Sequence, residues 1–138
     1  SFSNGTPRLK ISESLSKVII PHKKQVYRLM NAKGELIGAD AITMRDEKEV
    51  TRIYDPQEIL KSLPVKNYNT EALLHLVMEN GKRTEESRSL LEIADYSKQR
   101  LASLPMEFKR FDNPHIYKVG ISKSLKKERE NLLKKYKK

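Results

Sequence analysis

Lys10 and Lys17 stand on either side of a short polar loop, Ile11 to Ser16, and His22, Lys23 and Lys24 follow it closely. Two ammonium groups held across such a loop can clamp a phosphate or pyrophosphate, each acting as a compact point charge. Ordinary solvated surface lysines would leave the same pattern, so the residues alone keep both readings open. Other candidates for chemistry are few. Asp and Glu are scattered, with no pair set apart for acid–base work, and His22, His75 and His115 lie in unrelated contexts without metal-ligand spacing. His75 falls in an apolar run and reads as a hydrogen-bonded core residue, while His115, just after Asn113-Pro114, reads as part of a turn. Neither a glycine-rich phosphate loop nor a nucleophile elbow occurs. On these residues the chain is a small α+β module with no catalytic group and no metal site of its own.

The positive charge narrows the partners less than its size promises. The 138 residues carry a formal net charge of +10. Between Lys123 and Lys138, seven lysines and one arginine face only Glu128 and Glu130, which puts +6 there and +4 on everything else. A basic terminal helix is more often a solvated face or a partner-docking element than a sequence reader, and no run of aromatics alternates with the lysines as a base-stacking platform requires. Nucleic acid is therefore not the expected partner. Hydrophobic residues make up 37% and charged residues 33%, enough for one modest core under an ionic surface. No apolar run approaches the ~20 residues that span a bilayer. The polar, glycine-containing N-terminus does not read as a secretory leader. The absence of cysteine excludes disulfides and thiolate metal sites and suits a reducing cytoplasm.

The elements that must position these residues can be read from pattern and punctuation. Asn4-Gly5 is a type I′ hairpin signal with only three residues ahead of it, which reads as a chain cut from a longer protein in mid-hairpin. Leu9 and Ile11 alternate with polar residues in a first strand, and the β-branched run Val18, Ile19, Ile20 returns to the core. Gln25 to Asn31 and Leu36 to Ile42 frame a hairpin turning at Gly34. On its second strand Ile37, Ala39 and Ala41 share a face whose small side chains leave room for a helix. After the charged connection Arg45 to Glu49, Val50 to Tyr54 form a further strand. Asp55, Pro56 and Glu58 have the order of an N-cap, a first-turn proline and a capping-box acid, predicting a short helix to about Ser62. Ala72 to Met78 suits a buried strand, Asn80-Gly81 is a second hairpin turn, and Lys82 to Arg88 is a polar edge strand or loop.

The stretch that organises the rest is Ser89 to Val119. Ser89 and Glu92 form a capping box, and Leu90, Ile93, Ala94, Ser97, Leu101 and Leu104 follow the helical period as a stripe that would cover the strands. Pro105 starts a helical turn over Met106 to Arg110, and Ile116 to Val119 extend again. A basic helix capped by Ser122 or Ser124 then carries Leu125, Leu132, Leu133 and Tyr136 on one side. The expected architecture is α+β, with small antiparallel strands and hairpins covered by a capped amphipathic helix and a basic C-terminal helix. Residues 1–54 are mainly strands, 55–88 mixed loop and hairpin, and 89–138 mainly helical.

Four stretches together resemble the C-terminal region of nicotinate phosphoribosyltransferases. They are PRLKIS with KQVYRL (Pro7 to Leu29), LLHLVMENGK (Leu73 to Lys82), SLLEI with RLASLP (Ser89 to Pro105) and KRFDNPHIYKV (Lys109 to Val119). A fainter similarity to nicotinamide phosphoribosyltransferases runs through the Lys10 to Lys17 loop, the Asn80-Gly81-Lys82 turn and Ser89 to Ile93. The resemblance implies that 1–138 is a single C-terminal domain of a longer chain, a fragment of a larger α/β-barrel enzyme that is cytoplasmic and homodimeric. Such an enzyme is a ligase that joins nicotinate to phosphoribosyl pyrophosphate in NAD salvage, consuming ATP through a phosphohistidine. It also implies that ATP and Mg2+ serve the parent enzyme, that this fragment binds no cofactor, and that the fragment alone is inactive. The upstream barrel would carry the substrate-binding arginines and the phosphorylated histidine, which none of His22, His75 and His115 matches. Lys10 and, with a one-residue shift in spacing, Lys17 would then reach phosphates of phosphoribosyl pyrophosphate across the dimer.

The other reading is a free-standing basic module for RNA or another polyanion, and a scaffolding reading leaves Lys10 without kinetic effect. The central helix has its own test. If its stripe is core, Leu101→Ala costs about 2–5 kcal/mol in a denaturant titration, against about 1 kcal/mol for losing the cap in Ser89→Ala.

Overall fold

The computed structural model describes residues 2–3, 6–7, 12, 19–20, 22–58 and 60–136. The strand expected around Leu9 and Ile11, and Val18 of the β-branched run, lie outside these residues. In chain order the elements are β1 (Phe2–Ser3), β2 (Thr6–Pro7), β3 (Lys24–Met30), β4 (Leu36–Met44), β5 (Arg52–Tyr54), β6 (Ser62–Pro64) and β7 (Asn69–Ala72). They continue with β8 (Met78–Glu79), β9 (Lys82–Arg83), α1 (Leu90–Ala102), α2 (Met106–Lys109), β10 (Lys118–Ser122) and α3 (Lys123–Tyr136). β1 and β2 pair antiparallel across positions 4 and 5.

The main sheet has six strands in the order β6-β5-β10-β4-β3-β7. All neighbours are antiparallel except β10 and β4, which run parallel with Lys118 beside Ala39 and Ile121 beside Ile42. The β3–β4 hairpin forms where its turn chemistry places it. Gly34 takes φ +80°, and the Asn31 side-chain oxygen accepts from the N–H groups of Lys33 and Glu35, both at 2.9 Å. Asn80 and Gly81, both at positive φ, turn the small β8–β9 hairpin in the same way.

Leu29, Ala39, Ala41, Ile53 and Val65 form the core, with Tyr27, Ile37, Val50, Leu63 and Tyr68 packed against it. The room left by Ala39 and Ala41 is thus taken by Val65 and Tyr68 from a connecting segment, not by a helix. α3 packs on β4, β5 and β10 through the fully buried Leu125. Its start is fixed by Ser122, whose Oγ accepts from the Leu125 N–H (3.3 Å) and donates to Glu47 Oε2 (2.6 Å). Ser124 Oγ donates to the other oxygen of Glu47 at 3.0 Å. A carboxylate at this end of a helix complements the macrodipole. Leu132 and Leu133 are half-buried, while Tyr136 is exposed.

Three expectations need correcting. α1 has the capping box of Ser89 and Glu92 in full geometry, yet none of its residues is buried: Leu90 is 81% and Leu101 63% exposed. Its helical period is real, but its link to the sheet is a polar one, the 2.7 Å ion pair of Arg100 with Glu71 on β7. Leu101→Ala therefore has no core to empty within this chain. The run Ala72 to Met78 is not a buried strand either. The edge strand β7 ends at Ala72, and Leu74, His75, Leu76, Val77 and Met78 are all exposed, so His75 is not a core residue. Finally, the described residues between Pro56 and Ser62 form no helix, and Ser62–Pro64 pairs with β5. Asp55 Oδ1 does accept from the N–H groups of Gln57 and Glu58, at 2.8 and 2.9 Å. The N–H of Asp55 then donates to the Lys61 carbonyl at 3.0 Å, closing a turn in which the cap signal serves a loop.

One glycine carries more than a turn. Gly38 sits in β4 at φ +70°, and a Cβ there would lie 1.9 Å from the Phe108 ring, whereas a Cβ on Gly34 would meet nothing. Gly38→Ala is expected to cost about 2–4 kcal/mol from left-handed strain plus displacement of that ring. Gly34→Ala should cost only about 1–2 kcal/mol, from strain alone. Urea titration of both variants checks the difference, and adding Phe108→Ala to Gly38→Ala should recover part of the loss.

Candidate functional site

A lone acid in an apolar strand sets up the most connected polar group in the chain. Asp40 on β4 is only 9% exposed, and burial of a carboxylate requires paired donors. Arg28 on β3 supplies two, Nε to Oδ1 at 3.2 Å and Nη2 to Oδ2 at 3.4 Å. The Tyr117 hydroxyl donates to Oδ1 at 2.8 Å, just before β10 begins. Phe108 of α2 stands edge-on to Tyr117 at 5.6 Å and to His115 at 5.9 Å, which seats α2 over Gly38. The Arg28 guanidinium is held further above its ordinary pKa range, first by its hydrogen bond to Asp40. The Tyr117 phenol is pushed up to about 12 by burial first and then by the hydrogen bond and charge of Asp40. A neutral phenol and a fixed guanidinium, both paired with one carboxylate, clamp strands together.

Two clefts adjoin this clamp and share Ile116 and Lys118. One, of about 490 Å³, lies between Gly38, Glu107, Phe108 and His115. The other, of about 580 Å³, opens between the β5–β6 turn and Gly120, with Asp55, Glu58 and Lys61 at its rim. Neither gathers charge of one sign. Lys61 is already paired with Glu58 at 2.7 Å.

Of the cations singled out in the sequence, Lys10 and Lys17 lie outside the described residues. Their described neighbours point to the chain's own oxygens. Lys24 Nζ donates to the carbonyls of Ile20 (2.6 Å) and His22 (3.3 Å), and His22 Nε2 lies 3.6 Å from Glu128 of α3. Lys23, between them, is exposed. Among the described residues no group of His, Asp and Glu is placed to hold a metal ion, and no helix is long and apolar enough to cross a membrane. The residues that sequence reading missed are Asp40, Arg28 and Tyr117. The signal was present in the strand LIGADAITM, where a single acid among apolar residues demands partners from elsewhere.

A second feature is an uncovered surface. Every residue from Leu74 to Gln99 is exposed, including Leu74, Leu76, Val77, Met78, Leu90 and Leu91. Apolar side chains exposed together along one segment mark an interaction surface, whereas singly scattered ones do not.

Comparison with known proteins gives one consistent result. The family model for the nicotinate phosphoribosyltransferase C-terminal domain matches residues 23–129. A nicotinate phosphoribosyltransferase of Dictyostelium discoideum is 30% identical over 133 residues, which is 88% of this chain and 23% of that protein. The protein of the same name from Bacillus subtilis is 30% identical over 118 residues, 83% of this chain and 24% of its own length. The chain thus spans about a quarter of the curated relatives it matches. In fold it is similar to a solved human nicotinic acid phosphoribosyltransferase, with a TM-score of 0.70 at 24% identity, covering 82% of this chain and 23% of that one.

The clamp makes a pH prediction. Because Tyr117 holds its proton to about 12 when folded, against about 10 for an ordinary tyrosine, its stabilising share is complete below pH ~10. It is lost as the pH rises from there towards the folded value. In urea titrations across that window, Tyr117→Phe should flatten the fall of stability relative to the parent chain.

Proposed function

Because the chain belongs to the nicotinate phosphoribosyltransferase C-terminal domain family, we propose that it serves as the C-terminal domain of an enzyme joining nicotinate to phosphoribosyl pyrophosphate. The product would be nicotinate mononucleotide for NAD salvage. The observation that carries this reading is the family match from residue 23 to residue 129, which takes in β3 to β10 and the first turns of α3. Relatives of that name are about four times as long, since the match covers 23% of the one from Dictyostelium discoideum. The transfer itself, with its ATP and Mg2+, belongs to the remaining part. A domain whose best-connected polar group is a clamp fits a supporting role.

The support has two parts in this reading. The domain packs on the upstream barrel and strengthens a cytoplasmic homodimer. Its Lys10 and Lys17 supply point charges to the phosphates of phosphoribosyl pyrophosphate, Lys10 with the closer match in spacing. In the intact enzyme, Lys10→Ala and Lys17→Ala are each expected to raise KM for phosphoribosyl pyrophosphate about tenfold, as loss of a charge-assisted hydrogen bond worth ~1.5 kcal/mol would. The Tm should not move. An unchanged KM would leave these lysines out of the site, and turnover by the 138-residue chain alone would overturn the supporting role.

A further inference from the structure

We infer that the segment from Leu74 to Leu101 is a docking surface for the upstream part of the same enzyme subunit, an inference that rests on the function proposed above. The segment is held at both ends, and every residue from Leu74 to Gln99 is exposed. At its start the Gln25 side chain grips the Leu74 backbone from both sides, donating to its carbonyl (2.9 Å) and accepting from its N–H (3.0 Å). At its end Arg100 reaches Glu71 on β7, and Arg100 and Arg88 lie 5.9 and 5.7 Å from the Tyr96 ring.

Between these anchors runs a capped helix with an unpartnered face. Leu90, Ala94, Ser97 and Leu101 are spaced i, i+4, i+7 and i+11, which places them on one side of α1, about a quarter-turn from Arg100. Small residues flanked by leucines are the pattern of a helix that another element approaches closely. A 13-residue helix with no buried side chain is marginal in water, and its amphipathic face is what ordinarily stabilises it. The charges on the rest of α1, Glu92, Asp95 and Lys98, are of mixed sign, with Lys98 3.7 Å from Asp95, which suits a protein surface and not a polyanion.

The occupant follows from length. In the relatives this stretch of sequence is joined to roughly three-quarters of a subunit that the present chain does not contain, the match covering 23% of the solved human chain. That larger part is the nearest source of an apolar surface, being covalently linked and so present at high effective concentration.

The test compares hydrogen exchange in the 138-residue chain and in a chimera in which it replaces the matching quarter of the Bacillus subtilis enzyme. In the chain alone, α1 amides should exchange rapidly at every protein concentration, while β4 amides stay protected and report the fold. In the chimera, α1 protection should rise at least tenfold, and Leu90→Glu with Leu101→Glu should abolish the rise. If the Bacillus subtilis part does not fold in the chimera, the Dictyostelium discoideum part replaces it. Unprotected α1 in the folded chimera would overturn the inference. So would α1 protection in the isolated chain that grows with concentration, since a second copy would then be the occupant. Transferase activity separates the two readings: a protected but inactive chimera keeps the docking surface and refutes the function, whereas an active chimera indifferent to the glutamates does the reverse.

Discussion

The sheet exists as one body because β10 is inserted between β4 and β5. Both of those strands pair with it, β4 in parallel and β5 antiparallel. Without β10 the sheet divides into a β5–β6 pair and a β4–β3–β7 group. A parallel neighbour cannot be reached by a tight turn, so the chain must travel from Met44 to Lys118 before the gap is filled. The fit is close where it closes. A Cβ on Gly120 would come within 2.8 Å of Ile53, and the buried Ser122 locks the end of the strand to Glu47. The seat of α3, which packs on β10, β4 and β5, depends on that insertion.

Asp40 is the second constraint, and it follows from the first. A charge taken out of water gains little net stability from its partners, but removing one partner leaves a costly orphan. The clamp therefore specifies an arrangement more than it strengthens one. Arg28 fixes β3 against β4, and Tyr117 fixes the approach to β10. Phe108, resting on Gly38 and against Tyr117, brings α2 into the same assembly. One face of the sheet is thus ordered by polar pairing and aromatic edges, while the other is filled by Val65 and Tyr68.

What could be read from the sequence was local. Asn31 to Glu35 and Asn80-Gly81 hold turn geometry within a few residues, and both hairpins are where those residues put them. Asp55 kept its side-chain bonds and still misled, because two accepted N–H groups are common to a helix start and a loop. Leu90 and Leu101 misled differently. Periodicity tells that a face is apolar, not what buries it, and none of the residues of this helix is buried. His75 misleads for the same reason, since its apolar neighbours are exposed and form no core. The central place of β10 was illegible because strand order is set by long-range pairing that no short window contains. The family was legible from four short stretches, whereas Lys10 and Lys17, marked by their places beside a polar loop and then by resemblance, lie outside the described residues.

The late position of β10 also orders events during synthesis. β4 and β5 leave the ribosome well before it, each with one side of its backbone unpaired towards the gap. Over that interval the two strands are open edges of the kind that recruit other chains. The charged connection Arg45 to Glu49 sits between them and works against such recruitment while they wait. A nascent chain stopped between Tyr68 and Lys118 would hold the whole Leu29, Ala39, Ala41, Ile53 and Val65 cluster and still lack a closed sheet, so closure waits on a strand far away in sequence.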